Sequence, residues 1–343
     1  MELFSSTLSQ MAFLFTLIVI GYILAKLNVV PDNTPSVLAK LENNVFIPAL
    51  VLGTFMNNFT VEKFSVAWKI LLFSMLLTIL MCVISSVVGR LCNKDDFISK
   101  IYTYGLSFSN FGFMGNAVVM ALFPDIFVEY LIFTLPLWML IYLWGVPALL
   151  IPEEGGLQLM GRKARILSRF KSFINPMFAC MIIGMIFGIT GIGAVLPAWA
   201  GSVVKTAGDC MSPIAMILTG ITVSKISLKK TFTNLNIYLV SFIRLLVYPL
   251  AFLGVVFILG KFGIHIDRTI FICALCTLAM PLGLNTIVIP SAYGKDPTVA
   301  SGMALVSHIL SCVTIPVIFM LIQIKVGVRQ TEKFAKTKNS LLQ

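Results

Sequence analysis

Ser107-Phe108-Ser109-Asn110-Phe111-Gly112-Phe113-Met114-Gly115-Asn116 lies inside an apolar run at 100–123, and Met280-Pro281-Leu282-Gly283-Leu284-Asn285-Thr286 lies inside another at 269–292. Each run is long enough to cross a bilayer as a helix, yet each is interrupted by Gly, Pro and amide residues. In hydrocarbon a freed backbone group has no water to bond. Such a break is tolerated only where protein buries it or a water-filled cavity adjoins it. A broken helix also presents a half-helix N-terminus, whose N–H groups and dipole favour an anion. The competing reading is close packing through small residues with a proline kink. Two breaks at corresponding positions favour a small-molecule site. The candidate substrate contacts are Ser109, Asn110, Gly112 and Asn116 in the first, and Pro281, Gly283, Asn285 and Thr286 in the second.

Around these two stretches the chain is apolar almost throughout. Of its 343 residues 58% are hydrophobic and 11% charged, whereas about 25% charged is usual in a soluble domain. Apolar runs fall at 8–26, 37–57, 66–90, 100–123, 126–151, 173–191, 197–223, 233–259, 269–292 and 299–325. No strand-like alternation suggests a membrane barrel. The expectation is an all-α integral membrane protein with ten spans, the fourth and ninth broken and crossed. It divides into a first five-helix repeat at 1–152, a basic loop at 153–172, a second repeat at 173–325 and a basic tail at 326–343. No basic residue precedes Lys26, so the first span is read as retained rather than as a cleaved signal.

The formal net charge of +11 reads as a topology signal rather than a nucleic-acid signal, because the basic residues sit in short loops. The longest loop opens at Glu153-Glu154-Gly155-Gly156 and carries Arg162, Lys163, Arg165, Arg169 and Lys171. With that loop in the cytoplasm, Lys26, Lys40, Arg90, Lys94, Lys100, Lys225, Lys229, Lys230 and Lys295 also lie inside. Only Lys63, Lys261 and Arg268 lie outside, as does the N-terminus. Ten spans put the C-terminus outside too, against the charge of Lys325, Arg329, Lys333, Lys336 and Lys338. The location expected is the cell (cytoplasmic) membrane.

The halves resemble each other. Ala121-Leu122-Phe123-Pro124-Asp125 aligns with Ala292-Tyr293-Gly294-Lys295-Asp296, and the same offset sets Asn110 against Pro281 and Gly112 against Gly283. Five spans per half is odd, so the second half must be inverted, as in many secondary transporters.

The residues now assembled resemble the auxin efflux carrier family, over nearly the whole chain. Gly21-Tyr22-Ile23-Leu24 followed by Leu41 to Leu50, with Asn44 and Pro48, is similar to that family's first two spans. Asn110-Phe111-Gly112-Phe113-Met114-Gly115 resembles its first crossover, and Met280-Pro281 with Asn285 and Tyr293-Gly294 its second. Gly208-Asp209 through Pro213 to Gly220 resembles its seventh span. The family usually has a proline shortly after the first crossover glycines, where this chain has Asn116-Ala117. The resemblance implies a fold related to bile-acid:sodium symporters. Spans one, two, six and seven would then form a scaffold, and the other six a moving transport domain.

Ionisable groups inside spans each need a reason, since one at a helix centre costs about 2.5–3.5 kcal/mol on insertion scales. Glu42, Asn44, Asp209 and His308 are the ion-coupling candidates. Glu42 could hold a cation or proton, or sit at the interface. Asp209 lies four residues after Lys205 and reads as a structural ion pair or a coupling site. His308 could relay protons or pack between helices. Arg244 could face an anion, and snorkelling to the interface is the favoured reading.

The leading function is secondary transport of a small organic anion such as a carboxylate, with no cofactor and with energy from H+, Na+ or the membrane potential. No Walker-type loop for ATP is present. A receptor that binds a ligand without transporting it is one alternative. An intramembrane enzyme using Ser107 and His308 is another, although Ser109 stands where a nucleophile elbow needs glycine. The expected partners are the organic anion, the lipid bilayer and, as an open alternative, a second copy in a homodimer. The seven cysteines are dispersed in apolar runs and read as free thiols, with no metal site.

Overall fold

The computed structural model describes residues 2–151, 176–224, 234–292, 295–296 and 298–340. The central loop, including Glu153 to Lys171, and the segments with Lys225, Lys229, Lys230 and Tyr293-Gly294 lie outside the described residues. Among the described residues the expected runs are largely helical, the fourth and ninth being interrupted at their breaks. The helices are α1 (Glu2–Lys26), α2 (Thr34–Asn58), α3 (Val61–Cys92), α4 (Asp96–Ser107), α5 (Phe111–Leu122) and α6 (Pro124–Leu150). They continue as α7 (Pro176–Thr190), α8 (Ala198–Ser224), α9 (Leu235–Lys261), α10 (Arg268–Ala279), α11 (Asn285–Ala292) and α12 (Thr298–Ser340).

Seven of these are long and apolar enough to cross a membrane: α1 from Ser5, α2, α3, α6, α8, α9 and the Thr298–Met320 part of α12. The fourth and ninth runs fall short because each is split, into α4 with α5 and α10 with α11. The helix of the sixth, α7, has 15 described residues. The basic tail continues α12 as helix through Ser340. At about 1.5 Å per residue, its 43 residues greatly exceed the roughly 20 that span a bilayer.

Packing sorts the helices into two groups. In the first, α1 runs along α8, α2 along α7, and α2 also packs on α8. Small residues permit these close approaches. A Cβ at Gly21 would lie 2.2 Å from the Ile217 carbonyl oxygen, and one at Gly188 2.5 Å from that of Phe59. In the second group α3 packs on α4 and α6, while α9 packs on α10 and α12. The α1–α12, α1–α5, α5–α8 and α2–α6 contacts join the groups. Large apolar side chains on α1, α3 and α9, among them Phe13, Leu76 and Phe257, face outward. In lipid that exposure is the stable arrangement. Buried polar side chains, among them Ser109, Asn110, Thr277 and His308, gather where α4–α5 meets α10–α11.

Candidate functional site

The first break follows from local chemistry. Ser109 and Asn110 offer side chains that compete with helical bonds, and Gly112 and Gly115 weaken the next turn. Phe108 is extended, at φ −122° and ψ 110°, and the chain re-enters helix through a π-turn at Phe111–Gly115. The second break follows from Pro281, which disfavours helical geometry in the residue before it. Met280 is accordingly extended, at φ −70° and ψ 148°.

The two breaks bond to each other. Ser109 and Leu282 form an antiparallel bridge, and the Asn110 backbone N–H donates to the Pro281 carbonyl at 2.7 Å. The residues that the internal alignment sets against each other therefore meet at the crossing. The Ser109 hydroxyl donates to the Thr277 carbonyl at 2.8 Å, and the Leu282 N–H reaches Ser307 Oγ at 3.3 Å. Backbone groups released by the breaks are thus largely satisfied by protein.

Arg244 completes this closure, against the expectation that it snorkels. It is 1% exposed. Its Nη1 donates to the Leu106 carbonyl at 2.9 Å, Nη2 to Thr277 at 2.8 Å and Nε to Met280 at 3.3 Å. Those carbonyls belong to the C-terminal ends of α4 and α10. A guanidinium suits the position because its fork can reach two chains at once, and because a cation opposes the negative end of a helix dipole.

A cavity of about 270 Å³ opens beside the crossing, between the two packing groups. Ser109, Asn110, Gly112, Gly283 and Asn285 line it, so five of the eight expected substrate contacts come together. Pro281 contributes its carbonyl to the crossing rather than a surface to the cavity. Thr286 is buried and spends its hydroxyl on the Gly283 carbonyl at 2.8 Å. Asn116 is buried on the far side of Trp138, where its Oδ1 lacks a partner among the described residues and borders a void of about 10 Å³.

Sequence reasoning missed the aromatic wall. Tyr104, Trp138 and Tyr142 line the cavity with Phe108, Phe111 and Phe113. Trp138 stacks on Tyr142, with centroids 6.0 Å apart, and meets Phe111 edge-on at 5.0 Å. Gly112 lies directly under this ring, since a Cβ there would sit 2.7 Å from Trp138 Cζ2. Asn285 Nδ2 donates to the Tyr104 hydroxyl at 3.1 Å. None of the described lining residues is charged. Recognition of a charged ligand here would rest on amide and backbone dipoles.

The ion-coupling candidates separate. His308 reaches the site through Asn110, whose Nδ2 lies 3.0 Å from His308 Nε2, while Nδ1 lies 2.7 Å from the Ala304 carbonyl. Both ring nitrogens are thereby used, so no His308–Ser107 pair is formed. Glu42 is fully buried in a π-turn of α2, and neither carboxylate oxygen has a partner among the described residues. Its neighbour Asn43 lines the cavity, whereas Asn44 is exposed and bonds back to the Lys40 carbonyl at 2.8 Å. Asp209 is exposed and paired with Lys205 at 2.6 Å, away from the cavity. The cysteines are free, and the described residues form no cluster suited to a metal.

The structure defines a polytopic α-helical membrane protein with an internal cavity built where two helix breaks cross. A family model described as membrane transport protein matches residues 6–319, and the chain belongs to that family, the auxin efflux carrier family of the sequence resemblance. It is also similar to an uncharacterized transporter of Methanothermobacter thermautotrophicus, at 24% identity over 305 residues, covering 88% of this chain and 93% of that one.

Proposed function

We propose that this membrane transport protein is a secondary transporter that carries a small organic anion, such as a carboxylate, across the cytoplasmic membrane by alternating access. The observation that carries the reading is the cavity at the crossing, where Asn110 and Asn285 stand at the starts of α5 and α11. Half-helix starts and side-chain amides supply N–H donors for a carboxylate, and the aromatic wall takes an apolar body.

Ten spans in two inverted repeats fit the packing. Exchanging the halves turns the α1–α8 contact into α7–α2, α3–α4 into α9–α10, and α3–α6 into α9–α12. The group formed by α1, α2, α7 and α8 would act as scaffold, and the rest would move against it in elevator fashion. The cavity lies along that seam, as alternating access requires. Ala39 and Asn43 of α2 and Val146 of α6 line it, in stretches adjoining segments assigned to the cytoplasm by the basic-residue bias.

Uptake of labelled lactate, malate and indole-3-acetate into proteoliposomes tests the function. At least one is transported, and Asn110→Ala with Asn285→Ala abolishes its uptake. If no carboxylate binds or moves, or if the double variant is indistinguishable from the native chain, the reading fails.

A further inference from the structure

The bond between His308 and Asn110 has a direction fixed by its surroundings. The Ala304 carbonyl, 2.7 Å from Nδ1, can only accept. In the neutral ring Nδ1 therefore carries the hydrogen and Nε2 is the acceptor. Asn110 must then spend one N–H of its side-chain amide on His308, at 3.0 Å. A second N–H and Oδ1 remain. If the ring takes up a proton, Nε2 becomes a donor and can no longer accept. The amide must turn by half a rotation, giving Oδ1 to the ring and freeing both N–H groups. Asn110 lines the cavity, so ring protonation changes what this amide can offer there from a mixture of donor and acceptor to donors only, which suits an anion.

Among the described residues, the helices packed on α12 bring no unpaired carboxylate of established position to a protonated ring. The helices packed on α12 are α1, α4, α8, α9, α10 and α11. Apart from Glu2 at the start of α1, their carboxylates are Asp96 and Asp209, paired with Lys100 and Lys205 at 2.6 Å each. The remaining charges are Lys26, Lys261 and Arg268 at helix ends and Arg244 at the crossing. The other titratable groups on these helices are phenols and thiols, including Tyr104, Tyr248, Cys273 and Cys276, with Cys312 on α12 itself. Glu42 lies on α2, which is not among those helices, so a carboxylate that enters the cavity beside Asn110 would bring the balancing negative charge with it.

We infer that His308 is the proton-coupling site of the transporter, and that Asn110 passes its protonation state to the bound anion, so that one proton and one carboxylate bind together. This rests on the anion reading above and adds the co-transported ion. The linkage is reciprocal: the anion favours the protonated ring as much as the proton favours the anion.

The chain has two histidines, His265 and His308, so the single-histidine variant His265→Gln reports His308 directly by nitrogen NMR of labelled imidazole in lipid nanodiscs. Without ligand, the expected signal is the neutral ring protonated at Nδ1. With saturating lactate, malate or indole-3-acetate, whichever binds, it becomes that of the imidazolium. In the native chain the same event is read as proton uptake per carboxylate bound, with affinity rising up to about tenfold per unit fall in pH. A ring that stays neutral while carboxylate is bound, or an empty-state ring protonated at Nε2 alone, overturns the inference and leaves the anion reading standing. Binding of no carboxylate at any pH overturns the anion reading itself and the inference with it.

Discussion

Arg244→Lys is the sharpest perturbation of the crossing. The substitution keeps one buried positive charge, so the cost of burying it is largely unchanged. What is lost is the fork. Arg244 bonds Leu106 on α4 and Thr277 and Met280 at the end of α10. A lysine ammonium is a point donor and can serve one of these chains well, not both. Thr277 retains a bond from the Ser109 hydroxyl. No other described backbone N–H takes over at Leu106 or Met280. Losing one or two hydrogen bonds from a charged donor, at about 1.5–3 kcal/mol each, predicts a loss of roughly 1.5–6 kcal/mol. The assay is unfolding of purified protein in lipid nanodiscs, followed by a thiol-reactive dye at buried Cys273 and Cys276, beside Thr277 on α10. Arg244→Lys should expose these thiols at a markedly lower temperature, and transport should fall with it. A variant within about 0.5 kcal/mol of the native protein, with unchanged transport, would show that the three-carbonyl clamp does not hold the breaks together.

Gly112→Ala drives a methyl group into Trp138, 2.7 Å away, and overpacking of this kind costs about 1–3 kcal/mol. Transport should drop, and Trp138→Phe in the same chain should restore part of it; no rescue would argue against the contact. Asn285→Ala removes the Tyr104 bond and a cavity donor, so KM for the transported anion should rise about tenfold or more, with folding intact by size-exclusion chromatography. Glu42→Gln replaces a buried carboxyl group that has no partner among the described residues with a neutral isostere. The expected melting temperature is equal or higher, and a fall of several degrees would reveal a cation or hydrogen bond holding the carboxylate. Asp209→Asn breaks a pair whose side chains are 77% and 56% exposed, so stability should change by less than about 1 kcal/mol, with no effect on ion coupling.

The two breaks were legible because helix-breaking residues in an apolar run are chemically conspicuous. Even their pairing could be read, since the offset that aligns Asn110 with Pro281 names two residues that share a hydrogen bond. The aromatic wall was not legible. Trp138 and Tyr142 look like any aromatics of a membrane helix until tertiary packing turns one face of α6 toward the crossing. Arg244 was ambiguous for the same reason: a lone arginine in an apolar run can reach outward or inward, and only the location of uncapped carbonyls decides. Lys205 and Asp209 were recognisable as a pair by their spacing, but spacing does not tell which side of α8 they occupy. Glu42 and Asn43 are neighbours in sequence, yet the π-turn of α2 buries one while the other borders the cavity.

On the proposed function, an anion site without a basic side chain needs a source of positive potential, and the arrangement of helix ends would supply one. Each half-helix carries roughly half a unit of charge of opposite sign at its two ends. At the crossing, the N-terminal ends of α5 and α11 and the C-terminal ends of α4 and α10 lie close together, so their fields would largely cancel. Arg244 occupies the C-terminal ends of both α4 and α10 through its three carbonyl bonds. That leaves the N-terminal ends unopposed on the cavity side, where Asn110 and Asn285 stand. The cation would therefore contribute to the proposed anion binding without touching the anion. The arrangement also suits a carrier, since a lysine or arginine in direct contact would hold a carboxylate tightly and slow its release. Dipoles and amides switched by one proton, as inferred for His308, would bind strongly in one state and let go in the other.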